Sequence, residues 1–193
     1  MRLLDKIHFL DRELCPWWFA YTFDNPVRRL LYKPEKVLGP YVKEGMTAVD
    51  IGCGMGHFSV GMARLVGASG KVISVDLQRK MLDRVKRRAE RAGVDERISL
   101  RQCKIGDICV TEQADFVLTF WMAHEVPDTK AMFKQIRGIL RDGGVWLLAE
   151  PRLHTSLNRF EGIALSAVDC GFTVVARPPV VMSYAALLKK SLK

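Results

Sequence analysis

The amino-acid sequence predicts a doubly wound α/β fold with a mostly parallel sheet of seven strands, and three observations lead to this prediction. Short apolar runs alternate with helix-like stretches after residue 45, a pattern typical of a parallel sheet covered by helices on both faces. A glycine-rich turn from Gly52 to Gly56 follows the first apolar run. Pro178 and Pro179 separate the last two runs and exclude a helix between them.

Each element is predicted from the spacing of its apolar residues. Short β-branched runs indicate buried strands, and apolar residues at helical spacing indicate helices with one buried face. In chain order, the predicted strands lie near 47–51, 71–76, 97–102, 115–121, 144–150, 172–177 and 181–189, and the predicted helices near 57–67, 78–92, 128–141 and 156–169. The turn forced by the two prolines allows the last two strands to pair as an antiparallel hairpin.

Length and composition narrow the class of protein. A chain of 193 residues, 49% of them hydrophobic, suits one domain with a substantial core and excludes intrinsic disorder. No apolar segment reaches the roughly 18 residues expected of a membrane span, and the first residues make a poor signal peptide. The five cysteines form no C-x-x-C pair, which favours reduced thiols in a cytoplasmic protein.

Two segments of the chain have unusual compositions. Residues 1–33 are rich in aromatic side chains, notably between Cys15 and Phe23, and we expect a cap segment that precedes the main domain, residues 34–193. The net charge is +9, and basic residues concentrate between Arg79 and Arg91. This run is either a site for nucleic acid or the solvated face of an amphipathic helix, and the second interpretation is preferred because no nucleic-acid motif accompanies it.

The glycine turn predicts a site for a nucleotide-like cofactor. Glycine tolerates positive φ and lets a ligand approach the backbone closely, and the helix that follows offers unpaired N–H groups. Asp76 ends the next apolar run, roughly 20 residues on, where dinucleotide-binding units place a carboxylate for ribose hydroxyls. However, the spacing is G-x-G-x-G with Asp50 ahead of it, rather than G-x-G-x-x-G. A carboxylate there disfavours a pyrophosphate and suits a cofactor with an ammonium and a sulfonium.

Four ordered segments carry a resemblance to a known family. Val49 to Gly56 resembles motif I of the class I S-adenosylmethionine-dependent methyltransferases, and Val72 to Asp76 resembles their second motif. Asp115 to Trp121 is similar to the fourth strand, and Ile136 to Pro151 to the helix, glycine turn and fifth strand that follow. Within this family, the sequence resembles the group that contains small quinone-biosynthesis C-methyltransferases. The resemblance implies a Rossmann-like sheet of seven strands whose last strand is antiparallel.

The resemblance also implies which residues bind S-adenosylmethionine and its product S-adenosylhomocysteine. Asp50 is expected at the methionine ammonium, the glycine turn at the methionine part, Asp76 at the ribose diol and Leu77 at the adenine. The full set of expected cofactor-binding residues is Asp50, Gly52, Cys53, Gly54, Met55, Gly56, Asp76, Leu77, Gln78, Lys104 and Phe120. One position departs from the family pattern. The acidic residue that commonly follows the third strand is replaced by Cys103 or Lys104, with Asp107 three residues late.

His124 is the weak candidate for catalysis, because it follows the fourth strand and a histidine can act as a base near neutral pH. A structural role in the loop is the preferred interpretation. The histidines at 8, 57, 124 and 154 lack zinc-ligand spacing, so no metal is expected, and a thiolate metalloid site at Cys53, Cys103 and Cys109 is a remote option.

The sequence therefore predicts an enzyme that transfers a methyl group to a small or medium-sized molecule. Three alternatives stay open: an RNA methyltransferase, supported by the basic charge; a module that binds the cofactor without catalysis; and a nicotinamide oxidoreductase.

Overall fold

A computed structural model describes residues 32–191 and contains the predicted seven-stranded sheet. The strands are β1 Thr47–Ile51, β2 Lys71–Asp76, β3 Ile98–Gln102, β4 Ala114–Phe120, β5 Leu140–Pro151, β6 Phe172–Ala176 and β7 Ser183–Lys190. Their order across the sheet is β3-β2-β1-β4-β5-β7-β6. The cap predicted for residues 1–33 lies outside the described residues, apart from its last two.

Residues 32–191 contain five α-helices, the first of which precedes β1. They are α1 Pro34–Leu38, α2 His57–Leu65, α3 Arg79–Ala92, α4 Thr129–Ile139 and α5 Leu157–Asp169. Two short 3₁₀ turns, Asp95–Arg97 and Ala123–Glu125, precede β3 and α4. The four long helices were predicted from their periodicity, whereas α1 has a single buried residue and is too short to show one. None of the helices in this part of the chain combines the length and apolar character needed to cross a membrane.

The strand directions confirm a doubly wound α/β fold. β1 pairs in parallel with both β2 and β4, and β4 pairs in parallel with β5. β7 runs antiparallel to β5 and to β6, which is the predicted hairpin. The order of strands reverses at β1, between β2 and β4, and open α/β sheets bind ligands outside the carboxyl ends of their strands at such a point.

The core lies on both faces of the sheet because side chains alternate along each strand. On one face, Phe133 of α4 and Phe160 of α5 pack with Trp146 of β5. On the other face, α1, α2 and α3 contribute Leu38, Met62 and Ala89. The Trp146 ring is fully buried and its Nε1 donates to Thr119 Oγ1 at 2.9 Å, which satisfies its polar atom. Burying each large side chain contributes about 1.5–3 kcal/mol.

The fifth strand differs from the prediction at its start. It begins at Leu140 rather than near 144, directly after α4 ends at Ile139. Leu140 pairs with Ala114, and the pairing then shifts so that Val145 faces Phe116. Gly143 has a φ of +83° inside this irregularity, so the predicted glycine turn is a bulge within the strand.

Candidate functional site

The glycine turn lies at the carboxyl end of β1, at the reversal point of the sheet. Gly52, Gly54 and Gly56 have φ values of +70°, +52° and +77°, a left-handed conformation that L side chains rarely adopt. Gly52 N and Cys53 N both donate to Val75 O of the neighbouring strand, at 2.9 and 3.0 Å. The turn is therefore bound to β2 before it enters α2.

The three glycines face different surroundings. A Cβ on Gly52 would lie 2.8 Å from Met122 Cγ, and a Cβ on Gly56 would lie 2.9 Å from Val85 Cγ2 of α3. A Cβ on Gly54 would meet no atom within 4 Å. Gly52 and Gly56 thus allow close packing of the protein on itself, whereas Gly54 presents its backbone to open space.

Asp76 ends β2 beside this open face. Its Oδ2 accepts from Gly54 N and its Oδ1 from Gln78 N, both at 2.9 Å. Burial raises the pKa of the Asp76 carboxyl to about 6, although the amides of Gln78, Gly54 and Leu77 favour the charged form. Two carboxylate oxygens have about four acceptor sites, so capacity remains for a further donor such as a ribose hydroxyl.

Asp50 lies beneath the turn rather than on its surface. Its side chain is 2% exposed, and its Oδ2 accepts from Ser59 Oγ of α2 at 2.5 Å. Asp50 therefore places a carboxylate in the interior directly behind the glycines. An electronegative group there opposes a pyrophosphate at the turn and favours a cationic ligand.

The remaining predicted contacts divide into two groups. Cys53 and Met55 are buried in the turn, and burial raises the pKa of the Cys53 thiol well above its usual value. Leu77 and Gln78 are half-buried next to Asp76. The Lys104 side chain, in contrast, is exposed in the loop after β3.

The loop after β3 does not turn Asp107 inward. Asp107 is exposed, and its Oδ1 accepts from Cys109 N at 2.7 Å. Lys104 N and Asp107 N each donate to the other residue's carbonyl, at 3.0 and 3.1 Å. Cys103 is the residue of this loop that reaches the site, because its N–H donates to Asp76 O at 3.0 Å, and burial raises the pKa of its thiol to about 12.

Aromatic side chains close the carboxyl end of β4. The Phe120 ring is buried and packs 4.3 Å, centroid to centroid, from Phe58 and 5.8 Å from Tyr32. Trp121 follows with a φ of +61°, and its Nε1 donates to Ser183 Oγ at 2.9 Å. Phe120 is thus packed against other rings, and the partly exposed Trp121 packs against Tyr32 and Phe120.

His124 forms an ion pair that sequence reasoning did not identify. Its Nδ1 hydrogen bonds to Glu150 Oε2, and Glu150 Oε1 accepts from Ala123 N at 2.9 Å. Glu150 is fully buried at the end of β5, whereas the His124 side chain is 14% exposed. A carboxylate closing an apolar strand was the available signal, but nothing in the sequence paired it with a histidine 26 positions away.

These observations fit the expected cofactor. The open face of Gly54, the acceptor capacity of Asp76 and the buried carboxyl of Asp50 lie together at the carboxyl ends of β1 and β2, as a methionine chain linked to a ribose requires. Residues 32–191 hold no group of three or more histidine, cysteine, aspartate or glutamate side chains arranged for a metal ion.

A second concave surface, which we call the arginine groove, lies between α1, α2 and α3. It encloses about 690 Å³, and its basic lining residues are Lys33, His57, Arg64, Arg84, Arg87, Arg88 and Arg91. Glu35 also lines it and lies 3.7 Å from Arg64. Because Met55 contributes to the same surface, the groove adjoins the glycine turn.

Comparisons with known proteins agree with this geometry. Residues 42–171 match a family model described as a methyltransferase domain. The chain is 34% identical over 126 residues to the demethylmenaquinone methyltransferase of Lactobacillus johnsonii, covering 64% of this chain and 50% of that protein. It is 28% identical over 153 residues to the ubiquinone biosynthesis O-methyltransferase of Actinobacillus pleuropneumoniae, covering 74% of this chain and 61% of that protein. The chain therefore spans about half the length of the relatives it matches.

Solved structures share the fold. A SAM dependent methyltransferase from Aquifex aeolicus superposes with a TM-score of 0.82 at 20% identity, covering 91% of this chain and 98% of that one. At this identity the likeness establishes the architecture.

Proposed function

Because the chain belongs to the methyltransferase domain family, which confirms the resemblance of its four ordered segments, we propose that it binds S-adenosylmethionine and transfers its methyl group to a small or medium-sized molecule. The observation that carries this proposal is the open backbone of Gly54 beside the carboxylate of Asp76. When bound, the cofactor supplies a methyl group on a sulfonium and leaves as a neutral thioether, so no acid is needed for the leaving group. The protein's task is to align the two reactants and exclude water.

Each residue of the turn has a distinct part in this proposal. Gly54 lets the methionine chain lie on the backbone, and Asp76 accepts hydrogen bonds from the ribose diol. The charge of Asp50 favours the methionine ammonium over any anionic group. The adenine lies against Leu77 and Gln78 and is read by the backbone near Cys103, since the Asp107 side chain is exposed and does not turn inward.

The proposed acceptor class draws on the relatives, whose names describe the methylation of demethylmenaquinone and of an intermediate of ubiquinone biosynthesis. A small aromatic acceptor is consistent with the stacked rings of Phe120 and Trp121 at the carboxyl end of β4. The proposed location is the cytoplasm, where thiols stay reduced. Cys53, Cys103, Cys109 and Cys170 of the described chain are free cysteines.

A second candidate, an RNA methyltransferase, is favoured by the arginine groove beside the turn. Guanidinium groups pair with phosphate oxygens, and a lining with this many arginines suits a polyanion.

Titration calorimetry with S-adenosylhomocysteine and with NADH tests the proposal. We expect the first to bind and the second not to bind. Asp50→Asn keeps a hydrogen-bond acceptor for Ser59 but removes the charge, so it should weaken S-adenosylhomocysteine binding without unfolding the chain. Binding of NADH alone would contradict the proposal, and cofactor binding without methyl transfer to any acceptor would favour the non-catalytic module.

A further inference from the structure

The hydrogen-bonded pair of His124 and Glu150 contains the groups of a general base, namely an imidazole and a carboxylate that orients it. Glu150 is fully buried, and a buried carboxylate is stable only when it is paired and hydrogen-bonded. Ala123 N and His124 Nδ1 provide those partners. Because the carboxylate holds Nδ1 in its protonated form, Nε2 is the nitrogen that gains or loses a proton.

Charged groups from three elements surround the imidazole. Glu150 approaches from β5, Glu125 Oε1 lies 3.8 Å from Nε2 in the same 3₁₀ turn, and Arg159 of α5 donates through Nη2 to His124 O at 3.0 Å. Burial lowers the pKa of His124, but the hydrogen bond and charge of Glu150 outweigh it, so the net pKa is raised. The imidazole therefore titrates above its ordinary range.

The pair lies next to the glycine turn. Met122 precedes Ala123 and occupies the space where a Cβ on Gly52 would sit. The same short segment carries Trp121 at its start and His124 at its end. Because β1 and β4 are parallel neighbours, the His124 imidazole and the glycine turn lie at the same edge of the sheet.

Resting on the proposed function, we infer that His124, positioned by Glu150, accepts the proton of a hydroxylated aromatic methyl acceptor. The acceptor O–H bond breaks and its proton passes to Nε2 of His124. The oxygen forms the new bond to the methyl carbon, and the electron pair of the broken carbon–sulfur bond stays on sulfur. The imidazolium then returns its proton to solvent.

Of two acceptors, a hydroxyl group and an amine, the hydroxyl group depends more on a base that removes its proton. A phenol resembles the tyrosine side chain, whose pKa is about 10, and is mostly protonated at neutral pH. A neutral amine already has a free electron pair, so a base adds little to its first step. The pair of His124 and Glu150 therefore favours an acidic hydroxyl over an amine.

The first test measures the imidazole directly, by NMR of ¹⁵N-histidine-labelled protein with S-adenosylhomocysteine bound. We expect His124 to keep Nδ1 protonated while Nε2 titrates. Glu150→Gln retains an acceptor for Ala123 N but removes the charge, so it should lower the pKa of His124 by about one unit or more. An unchanged pKa in this variant would overturn the positioning role of Glu150.

The second test follows methyl transfer to catechol, 1,4-dihydroxynaphthalene and aniline. We expect transfer to a hydroxylated probe but not to aniline, with a rate that rises with pH through the pKa of His124. Glu150→Gln should move this rise to lower pH. His124→Asn should lower kcat by about 100-fold or more with S-adenosylhomocysteine affinity unchanged, and the exposed His154→Asn serves as the matched control.

The outcomes separate this inference from the proposed function. A chain that does not bind S-adenosylhomocysteine contradicts both. A chain that binds it but methylates no hydroxylated probe, or methylates aniline instead, overturns the acceptor class alone. Full kcat and an unaltered pH profile in His124→Asn would show that the pair only holds the turn in place.

Discussion

At the scale of single residues, the site depends on where the glycines of one turn point. Gly52 and Gly56 face Met122 and Val85, so their missing side chains allow the protein to pack on itself. Gly54 alone faces open space, and its N–H is bound by Asp76. The sequence could predict that the turn binds a ligand, but it could not assign these separate roles, because they depend on residues from β4 and α3.

Gly54→Ala should separate binding from folding. An alanine at this φ of +52° lowers the stability of the folded chain by about 1 kcal/mol. Its Cβ meets no protein atom within 4 Å but enters the space proposed for the cofactor. We expect S-adenosylhomocysteine affinity to fall at least about tenfold, or 1.4 kcal/mol, by calorimetry. Gly93→Ala is the matched control, since Gly93 has a φ of +64° and equally open surroundings at the end of α3. Equal affinity in both variants would place the cofactor elsewhere.

Asp76 should make cofactor binding depend on pH. Its carboxyl has a pKa of about 6, and its charged form is the better acceptor for ribose hydroxyls. S-adenosylhomocysteine affinity should therefore fall about tenfold per unit as pH drops below 6, and Asp76→Asn should abolish this dependence. Calorimetry measures this dependence from about one pH unit below that pKa to about two units above it. A pH dependence that survives in Asp76→Asn would assign it to another group.

The raised pKa of Asp76 affects folding in the opposite way, because the charged form that favours cofactor binding reduces the stability of the folded chain. The folded chain binds the Asp76 proton more tightly than the unfolded chain, whose value is near 3.8. The charge thus reduces stability above about pH 6, and this reduction fades as the pH falls toward 3.8. Asp76→Asn removes this charge but turns an NH2 group toward the N–H of Gly54 or Gln78, so its melting temperature at pH 7 is measured beside its affinity to separate an effect on the site from one on the fold.

At the scale of elements, the bounds of a strand were predictable where a glycine turn or a charged residue marks its end. β1 and β2 have the predicted bounds because each β-branched run ends at a glycine turn or a carboxylate. β5 begins earlier than predicted because its bulge at Gly143 looks like a turn in the sequence. The pairing of His124 with Glu150 was not predictable, since it depends on which strand lies beside β4.

Asp115 links the amino ends of β1, β4 and β5 through its side chain. Its Oδ2 accepts from Thr47 N at 2.8 Å, and both its oxygens accept from Arg141 Nη1 at 2.7 Å. Asp115→Ala should lower the free energy of unfolding by about 1–2 kcal/mol, measured by urea denaturation with an unchanged m value. S-adenosylhomocysteine affinity should persist, because the proposed cofactor site lies at the opposite ends of these strands.

Asp142→Ala is the control for this element. Asp142 pairs with Lys190 at 3.4 Å, but its side chain is 99% exposed, and exposed ion pairs contribute little. Its unfolding transition should match that of the unmodified protein. A loss of stability as large as that of Asp115→Ala would mean that charge at this edge, rather than the hydrogen bond to the β1 backbone, holds the strands.

At the scale of the whole molecule, one sheet carries two surfaces of different chemistry. The carboxyl ends of β1, β2, β4 and β5 bring together the glycine turn, Asp76 and the pair of His124 and Glu150. The arginine groove lies beside them against α1, α2 and α3, and the net charge of +9 extends its attraction for anions. The predicted amphipathic helix is confirmed, because α3 buries its apolar residues and exposes most of its basic ones. Four arginines of this basic run also line the groove.

The groove should bind polyanions through charge alone. Binding of this kind releases counterions, so tRNA affinity should decline steeply between low and physiological salt. Arg87→Gln with Arg91→Gln should reduce the slope of log affinity against log salt by about 2, measured by fluorescence anisotropy, while methyl transfer to a hydroxylated aromatic probe stays unchanged. Lys134→Gln with Lys189→Gln removes the same charge from other elements and should change the slope less. Transfer of labelled methyl groups to tRNA, lost only in the arginine double variant, would instead make RNA the acceptor and the groove its binding site.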